Sequence, residues 1–490
     1  MITDQILYYA ERFPNRAALI ASHRAVTYSE LGKQIKKISL AILHKRNHSP
    51  VRAGLLLPNS IEYIECFLGV AHSANICAPL DPKWTDKQLN DIISYSKIDV
   101  IITCRDWCER IDRKSFNGEI VITDDDNGTF GMPDDISPRT HIDGKYKDFY
   151  LGFTSGTTGL PKGFLRHQQS WIDSIKASQK YFSIKENEIV AAPGPMVHSL
   201  SLYAAVHALN VGASFFVSES FDARHFIKDM KRYKIATIFV VPTMLESLLS
   251  YPEELKSHHL SKIMSSGDKL SVKTVQALKN LLPDTRLYEY YGASETSFMT
   301  LYDHQKYTKM SSVGRPFDLV DISVRNEEGL EMPSGQIGTI FINSPMAFSG
   351  YDGEPQQRDK WITVGDLGYI DEDGFIFLVG RKKNMIITGG LNVYPEEVEA
   401  CIKKIPNIKN VAVLGLPDQY WGEKIVAVLL EKETREMTDK FLEKHCRSYL
   451  PNYKCPKSWV RLDEFPLTSS GKVARNRLKD LLMNQDGVLL

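Results

Sequence analysis

Short apolar runs alternate with segments of helical periodicity along most of the chain. "VRAGLLLPNS" predicts a strand and a turn, and "SIEYIECFLGVAHSA" carries apolar residues at helical spacing. "NICAPLDP" predicts another strand and turn, and "DVIITC" and "FYLGFTS" two further strands. The most apolar stretch, "IATIFVVPTML" from Ile235, is broken by threonines and a proline and predicts a buried strand leading into a turn. This alternation is that of an α/β protein with buried sheets. Residues 124–146, rich in Asp, Gly, Pro and Lys, predict an irregular surface segment.

The pattern changes near the end. "MIITGG" predicts a strand closed by glycines. In "YPEEVEACIKKIP", Pro395 stands early and Glu396 and Glu397 fall in the first turn, as helix starts prefer. Val398, Cys401, Ile402 and Ile405 form its apolar stripe. "NVAVLGLPD" and "KIVAVLL" predict strands, and "TDKFLEKHCRSYL" an amphipathic helix. The β-α-β-β-α order describes a compact α+β lobe, with the charged run Gly380–Asn384, "GRKKN", as its candidate boundary.

Composition narrows the field. A chain of 490 residues exceeds one compact core and implies two or more domains. Lys+Arg and Asp+Glu are both 60, so no net positive charge marks a nucleic-acid binder, and none is expected as partner. The N-terminus lacks the basic and apolar regions of a signal peptide, and no run is long enough to span a bilayer. Seven scattered cysteines fit reduced thiols, and "CRDWC" (Cys104, Cys108) fits no common metal or redox spacing. These features predict a cytoplasmic protein.

The stretch "TSGTTGLPKG" holds the chemistry. Gly156 and Gly159 allow close backbone approach, Thr154, Ser155, Thr157 and Thr158 add hydroxyls, and Lys162 adds a charge. It lacks the G-x-x-x-x-G-K-[ST] order of a P-loop, and by composition it reads equally as an anion cradle or a polar loop. It resembles, however, the phosphate loop of the adenylate-forming superfamily, which includes acyl-CoA synthetases, adenylation domains and luciferases. "YYGASETS", "TVGDLGYIDEDGF", "GRKKNMIITGGLNVYPEEVE" and "PLTSSGKVAR" resemble later motifs of that family in its own order, and "FPNRAALI", "VTYSELGKQ" and "CAPLDPKWT" resemble early ones. The resemblance covers nearly the whole chain. It implies a large N-terminal domain of stacked sheets with helices, residues 1–382, and a small mobile α+β lobe, residues 383–490.

The resemblance also implies the reaction: a carboxylic acid attacks ATP, giving acyl-AMP and pyrophosphate, and the acyl group then passes to coenzyme A. Such a reaction needs donors along the triphosphate, a metal, and positive charge at the α-phosphate. By resemblance Glu295 holds Mg²⁺, Ser294 touches the α-phosphate, Tyr291 lies against adenine, and Gly292 lies near the mouth of the acyl pocket. Gly267 lies in "SSGDKL", where the family has a glycine-rich nucleotide segment; Asp268 is unusual there. Asp366, with Arg381 assisting, takes the ribose hydroxyls as a double acceptor. Lys472 bridges the substrate carboxylate and the α-phosphate. Lys383 is the hinge, a position more often Asp, and Gly389 and Gly390 line a tunnel for the pantetheine arm. An inactive nucleotide-binding scaffold would be expected to lack Lys472, Glu295 or Asp366, and all three are present.

Relatives that activate amino acids carry an Asp near "PGPMVHSLS". Here no carboxylate lies between Pro193 and Tyr203, and Asp222 of "SFDARHF" lies too far downstream. The expected substrate is an amine-free small-molecule acid, a fatty acid or, as alternative, an aryl acid. His198 stands beside the expected acyl pocket, with Val197, Val240, Val241, Phe298 and Met299 as candidate walls. "GGLNVYPEEVE" is most similar to the acyl-CoA synthetase version of its motif, which favours CoA; a carrier protein is the alternative acceptor.

Overall fold

The computed structural model describes residues 1–45, 51–72, 75–123, 147–154, 161–256, 259–355, 360–435, 437–468 and 473–484. The expected surface segment 124–146 therefore lies outside the described residues. By packing, the chain divides into two compact units: Met1–Ile322 with Ile342–Ile362, and Ser323–Phe341 with Thr363–Leu490.

Two large sheets organise the first unit. One has seven strands, in the order Gly350–Tyr351, Lys162–His167, Asp148–Thr154, Ile76–Pro79, Arg52–Leu56, Val100–Thr103 and Glu119–Ile122. The other has nine: Arg315–Pro316, Ser297–Asp303, Arg286–Ala293, Lys262–Ser265, Thr237–Val240, Ile189–Ala191, Ser214–Phe216, Ala17–Ile20 and Ala25–Thr27. From Arg286–Ala293 to Ala17–Ile20 every pairing is parallel. Buried parallel strands are apolar throughout rather than alternating, as in "VIIT" and "TIFV", each buried at every position.

The helices Ile61–His72 and Ser199–Asn210 are buried on almost every face. A helix in that condition has sheet or helix on both sides. Aromatic rings trace the path across: Phe149 packs on Trp171 of the helix Gln168–Phe182 at 5.4 Å, Trp171 on Tyr203 at 5.6 Å, and Tyr203 on Phe298 at 5.2 Å. Phe149 belongs to the seven-stranded sheet and Phe298 to the nine-stranded one, so helices fill the space between the two.

The run from Ile235 departs from expectation. Its strand Thr237–Val240 leads into the helix Pro242–Leu249 rather than a turn. Proline at the first helical position gives up an N–H that has no helical partner anyway. "CRDWC" contains the short helix Arg105–Cys108, and all seven cysteines are free. Among the described residues no helix is long and apolar enough to cross a membrane.

Glu65 lies within the helix Ile61–His72, 7% exposed, with Arg24 3.8 Å away. Burial pushes its carboxyl up from 4.5 to about 7 against the pull of Arg24. The folded chain thus binds this proton more tightly than the unfolded one. The resulting stabilisation is complete below the unfolded value and is lost as pH rises through about 7. Glu65→Gln, which stays neutral, is expected to match the wild-type melting temperature at pH 4 and to exceed it at pH 8. The gain is at most about 3 kcal/mol, and equal melting temperatures at pH 8 would refute it.

The second unit is built on a five-stranded sheet. Leu391–Val393, Ile386–Thr388, Gly422–Leu430 and Val411–Asp418 follow in that order, and Ser458–Leu462 pairs parallel to Gly422–Leu430. The expected helices form as Pro395–Ile402 and Asp439–Tyr449. Val398, Cys401, Ile402 and Ile405 pack with Val413 and Ile425 on one face of the sheet. On the other, Leu414 and Val426 meet Leu478 and Leu482 of the helix Arg475–Asn484. This two-sided burial follows from the period-2 alternation of strand side chains. The strand Ser458–Leu462 and the helix Arg475–Asn484 add to the expected β-α-β-β-α order. The hairpin Asp366–Ile370/Ile376–Arg381 also packs within this unit, so the packing boundary falls before it, earlier than the run Gly380–Asn384.

Candidate active site

Adjacent parallel strands of the nine-stranded sheet run on to expected site residues. Ile189–Ala191 leads to His198, Thr237–Val240 to Val241, Lys262–Ser265 to Gly267, and Arg286–Ala293 carries Tyr291 and Gly292 and ends beside Ser294 and Glu295. The carboxyl edge of an open parallel sheet is the usual ligand edge of an α/β domain.

Ser294 and Glu295 occupy the turn between the antiparallel strands Arg286–Ala293 and Ser297–Asp303. Thr296 closes it: its N–H donates to Ala293 O at 3.1 Å, and its Oγ1 accepts from Ala293 N at 2.9 Å. Ser297 holds φ at +60°, a conformation rare without glycine. Its Oγ lies 2.8 Å from Ser174 Oγ, which helps to hold it there. Gly292 faces the other limb of the hairpin, where a Cβ would stand 1.9 Å from Ser297 O. Its glycine is therefore required by backbone packing. Ser294 Oγ lies 3.2 Å from Ser199 Oγ, and Glu295 is 8% exposed.

The phosphate stretch leaves the seven-stranded sheet at Thr154 and returns at Lys162, two residues that are paired neighbours. Ser155, Gly156, Thr157 and Thr158 lie outside the described residues. Arg166 follows on the returning strand, and sequence reasoning passed over it. It is 4% exposed, and burial lowers its pKa to about 10. Its guanidinium donates to Ser294 O at 3.0 Å, Met346 O at 2.7 Å and Ser170 Oγ at 3.1 Å. It thereby ties the Ser294–Glu295 turn to the strand that carries Lys162.

The segment Phe348–Glu354 is a second such tie, again unmarked by the motifs.

 Within the stretch from Phe348 to Glu354, Phe348 N donates to Glu295 O at 2.7 Å and Ser349 N to Leu165 O at 2.7 Å. Gly350 and Tyr351 pair with Leu165 and Phe164, and Asp352 takes two hydrogen bonds from Arg52, at 2.7 and 2.8 Å. The Tyr351 hydroxyl reaches Glu295 Oε1 at 3.5 Å, a long contact, and Lys162 Nζ lies 3.6 Å from the centre of the Tyr351 ring. Burial, then the Glu295 charge, pushes the Tyr351 hydroxyl up to about 12, so it stays protonated and can donate. Lys162 Nζ also pairs with Glu354 at 2.8 Å.

Asn59 fixes the approach to His198. Its amide donates to Gly194 O and Ser218 O at 3.0 and 3.1 Å and accepts from Met196 N at 2.8 Å. His198 is partly buried at the start of the helix Ser199–Asn210. Of the expected pocket walls, Val240, Phe298 and Met299 are buried core residues, while Val197 and Val241 are partly exposed. Phe298 and Met299 are neighbours on one strand, where its register with Arg286–Ala293 shifts by one residue. Gly267 is exposed, with φ at +97°. Asp268 Oδ1 accepts from Lys269 N at 2.8 Å, which gives that unusual residue a local role. Asp222 caps the helix Ala223–Tyr233 by accepting from His225 N at 2.8 Å.

In the second unit, Asp366 and Arg381 are partners across their hairpin, and Arg381 Nε donates to Asp366 Oδ1 at 2.8 Å. Lys383 is exposed in the short 3₁₀ turn Lys382–Asn384, which Asn384 ties to Glu396 at 2.8 Å. Gly389 and Gly390 are the two central residues of a tight hairpin turn, with φ of +56° and +77°. Two positive φ values in such a turn demand glycine or a close substitute, and a Cβ at Gly390 would meet nothing within 4 Å. Lys472 lies outside the described residues. Its described flanks are held: Leu467 bridges to Val473, and Arg475 bonds Glu399 Oε1 at 2.5 Å and Val413 O at 2.7 Å.

Among the described residues no three His, Cys, Asp or Glu side chains gather as a metal cage. Glu295 alone still suits Mg²⁺, which takes one or two carboxylates and completes its shell with water and substrate phosphate.

The family model described as AMP-binding enzyme matches residues 8–352, and that of the AMP-binding enzyme C-terminal domain matches residues 397–472. An uncharacterized acyl-CoA ligase of Bacillus subtilis is 35% identical, over 98% of each chain. A putative long chain fatty acid-CoA ligase of Staphylococcus epidermidis is 32% identical, over 99% of each. The fold is similar to that of o-succinylbenzoate CoA synthetase from Bacillus subtilis in complex with its acyl-adenylate, with a TM-score of 0.86 at 24% identity over 97% of this chain and 98% of that one. That synthetase is also known in complex with ATP and a magnesium ion. With one family model spanning most of the first unit and a second spanning most of the chain's end, the chain belongs to the AMP-binding enzyme family.

Proposed function

We propose that this protein is an AMP-forming acyl-CoA synthetase acting on a fatty or aryl carboxylic acid. The observation that carries the reading is the convergence of the Ser294–Glu295 turn, the Lys162 strand and Tyr351 at one edge of the first unit. Thr154 and Lys162 flank the loop that would receive the β- and γ-phosphates, and Ser294 would donate to the α-phosphate. Glu295 would hold Mg²⁺, which when bound neutralises triphosphate charge. Tyr291 and Gly267 border the adenine, Gly292 lies near the mouth of the acyl pocket, and Asp366 with Arg381 takes the ribose hydroxyls.

In the first step a carboxylate oxygen attacks the α-phosphorus, the bond to the β-phosphate bridging oxygen breaks, and pyrophosphate departs. Lys472 stabilises the charge gathering between the carboxylate and the phosphate. In the second step the CoA sulfur attacks the acyl carbon, AMP leaves, and the thiol proton passes to solvent. Lys383 would serve as the hinge between the two steps. The Gly389–Gly390 turn would border the pantetheine arm, and His198 the acyl group. The absence of a carboxylate between Pro193 and Tyr203 favours an acid without an amine.

The test is ATP–pyrophosphate exchange across alkyl, aryl and amino acids, followed by thioester formation with the best acid. Exchange with an alkyl or aryl acid and a CoA thioester product is expected. Exchange without that product would redirect the second step to a carrier protein, and exchange confined to amino acids would overturn the substrate class.

A further inference from the structure

We propose that Tyr351 is a positioning residue that couples Lys162 to Glu295, and that Glu354 is a resident counter-ion of Lys162 which ATP must displace. The inference rests on the nucleotide reading above and deepens it.

Three contacts carry it. The ammonium of Lys162 sits 3.6 Å from the centre of the Tyr351 ring, where the negative ring face attracts a cation. The hydroxyl of the same ring points to Glu295 Oε1 at 3.5 Å. The carboxylate of Glu354 lies 2.8 Å from Lys162 Nζ. One side chain thus touches both the lysine expected at the phosphates and the carboxylate expected at the metal.

The ring cannot readily leave this place. Tyr351 lies in the strand pairing with Phe164, and the residues on both sides of it are tied to Gly163, Leu165, Glu295 and Arg52. Glu354 follows after a turn in which its N–H donates to Tyr351 O at 3.1 Å. Both members of the Lys162–Glu354 pair are nearly half exposed, at 46% and 45%. Such a pair is weak, so a triphosphate can displace it, yet it competes for the same ammonium. Glu354 thereby occupies the ammonium with a carboxylate until a more highly charged anion arrives.

The signs of the effects separate this arrangement from a merely structural one. Calorimetric titration of the full chain with ATP, with and without Mg²⁺, is the test, together with melting curves for each variant. Glu354→Gln removes the competitor and is expected to tighten ATP binding by roughly 2–5-fold. Tyr351→Leu removes ring and hydroxyl and is expected to weaken it several-fold in both conditions. Tyr351→Phe keeps the ring, so it should reduce the enhancement by Mg²⁺ more than it reduces binding without Mg²⁺. Unchanged or weaker binding by Glu354→Gln would overturn the counter-ion role. Equal losses in Tyr351→Phe and Tyr351→Leu, tracking a fall in melting temperature, would overturn the coupling role. Wild-type protein that binds no ATP would overturn the nucleotide reading and this inference together; wild-type binding with no such split overturns the inference alone.

Discussion

Lys472→Ala is expected to reduce acid-dependent ATP–pyrophosphate exchange by roughly 10²–10³-fold, the usual loss when one electrostatic stabiliser of a transition state is removed. The charge it offsets exists only while the carboxylate oxygen and the leaving phosphate share the α-phosphorus. Substrate binding should therefore change far less than turnover, and KM for ATP should move little. The thioester step needs no cation at that place, because AMP already leaves well. The variant given preformed acyl-adenylate and CoA should make acyl-CoA at close to the wild-type rate. Equal loss in both half-reactions would overturn a role specific to adenylation. The described residues on either side are tied down: Leu467 bridges to Val473, and Arg475 is held by Glu399 and Val413 O. Burial raises the pKa of Glu399, while Arg475 and the N–H of Val413 oppose that rise.

Much of this was legible because the relevant signals are local. The alternation of apolar runs and helical segments marks an α/β chain, and the Asp439–Tyr449 helix is marked by its amphipathic pattern. The turn that carries Ser294 and Glu295 could be found as a motif because its chemistry sits within a few residues. The order of strands within the two large sheets was not legible, since neighbours such as Ala17–Ile20 and Ser214–Phe216 are far apart in sequence. Ser458–Leu462 escaped notice because five residues carry little periodicity of their own. Asn59 and Tyr351 look ordinary in sequence, because the groups they hold, at Gly194, Ser218 and Glu295, lie on distant parts of the chain. Gly389 and Gly390 were noticed as glycines, but the demand visible in the fold is conformational: both sit at positive φ in a two-residue turn.

Arg166 is the sharpest case, and replacing it is expected to damage activity far more than stability. Arg166→Met keeps most of the side-chain volume and removes the donors to Ser294 O, Met346 O and Ser170 Oγ. Two opposing terms then bear on folding. Each carbonyl left without a donor costs about 1–3 kcal/mol. Against that, the buried guanidinium itself is unfavourable: its pKa, lowered from 12.5 to about 10 by burial, corresponds to about 3 kcal/mol that the apolar variant recovers. The two carbonyls together cost about 2–6 kcal/mol, which the recovered term offsets in large part, so the melting temperature should fall only modestly. No such offset operates at the site. Arg166 is the direct link between the Lys162 strand and the turn that carries Ser294 and Glu295, and a shift of about 1 Å in a reacting geometry costs on the order of 10²-fold in rate. Exchange should therefore fall by roughly that factor in a folded protein. Arg166→Lys should recover little, since one ammonium on a flexible stem cannot serve three acceptors held in a planar fork. Wild-type exchange in folded Arg166→Met would refute the positioning role. A loss explained by unfolding at the assay temperature would mean that the carbonyl term dominates and that the arginine serves stability. A buried arginine whose guanidinium serves two backbone carbonyls and a hydroxyl is thus best understood as a device for registering two distant segments, retained for the geometry it imposes at an energetic cost the fold can bear.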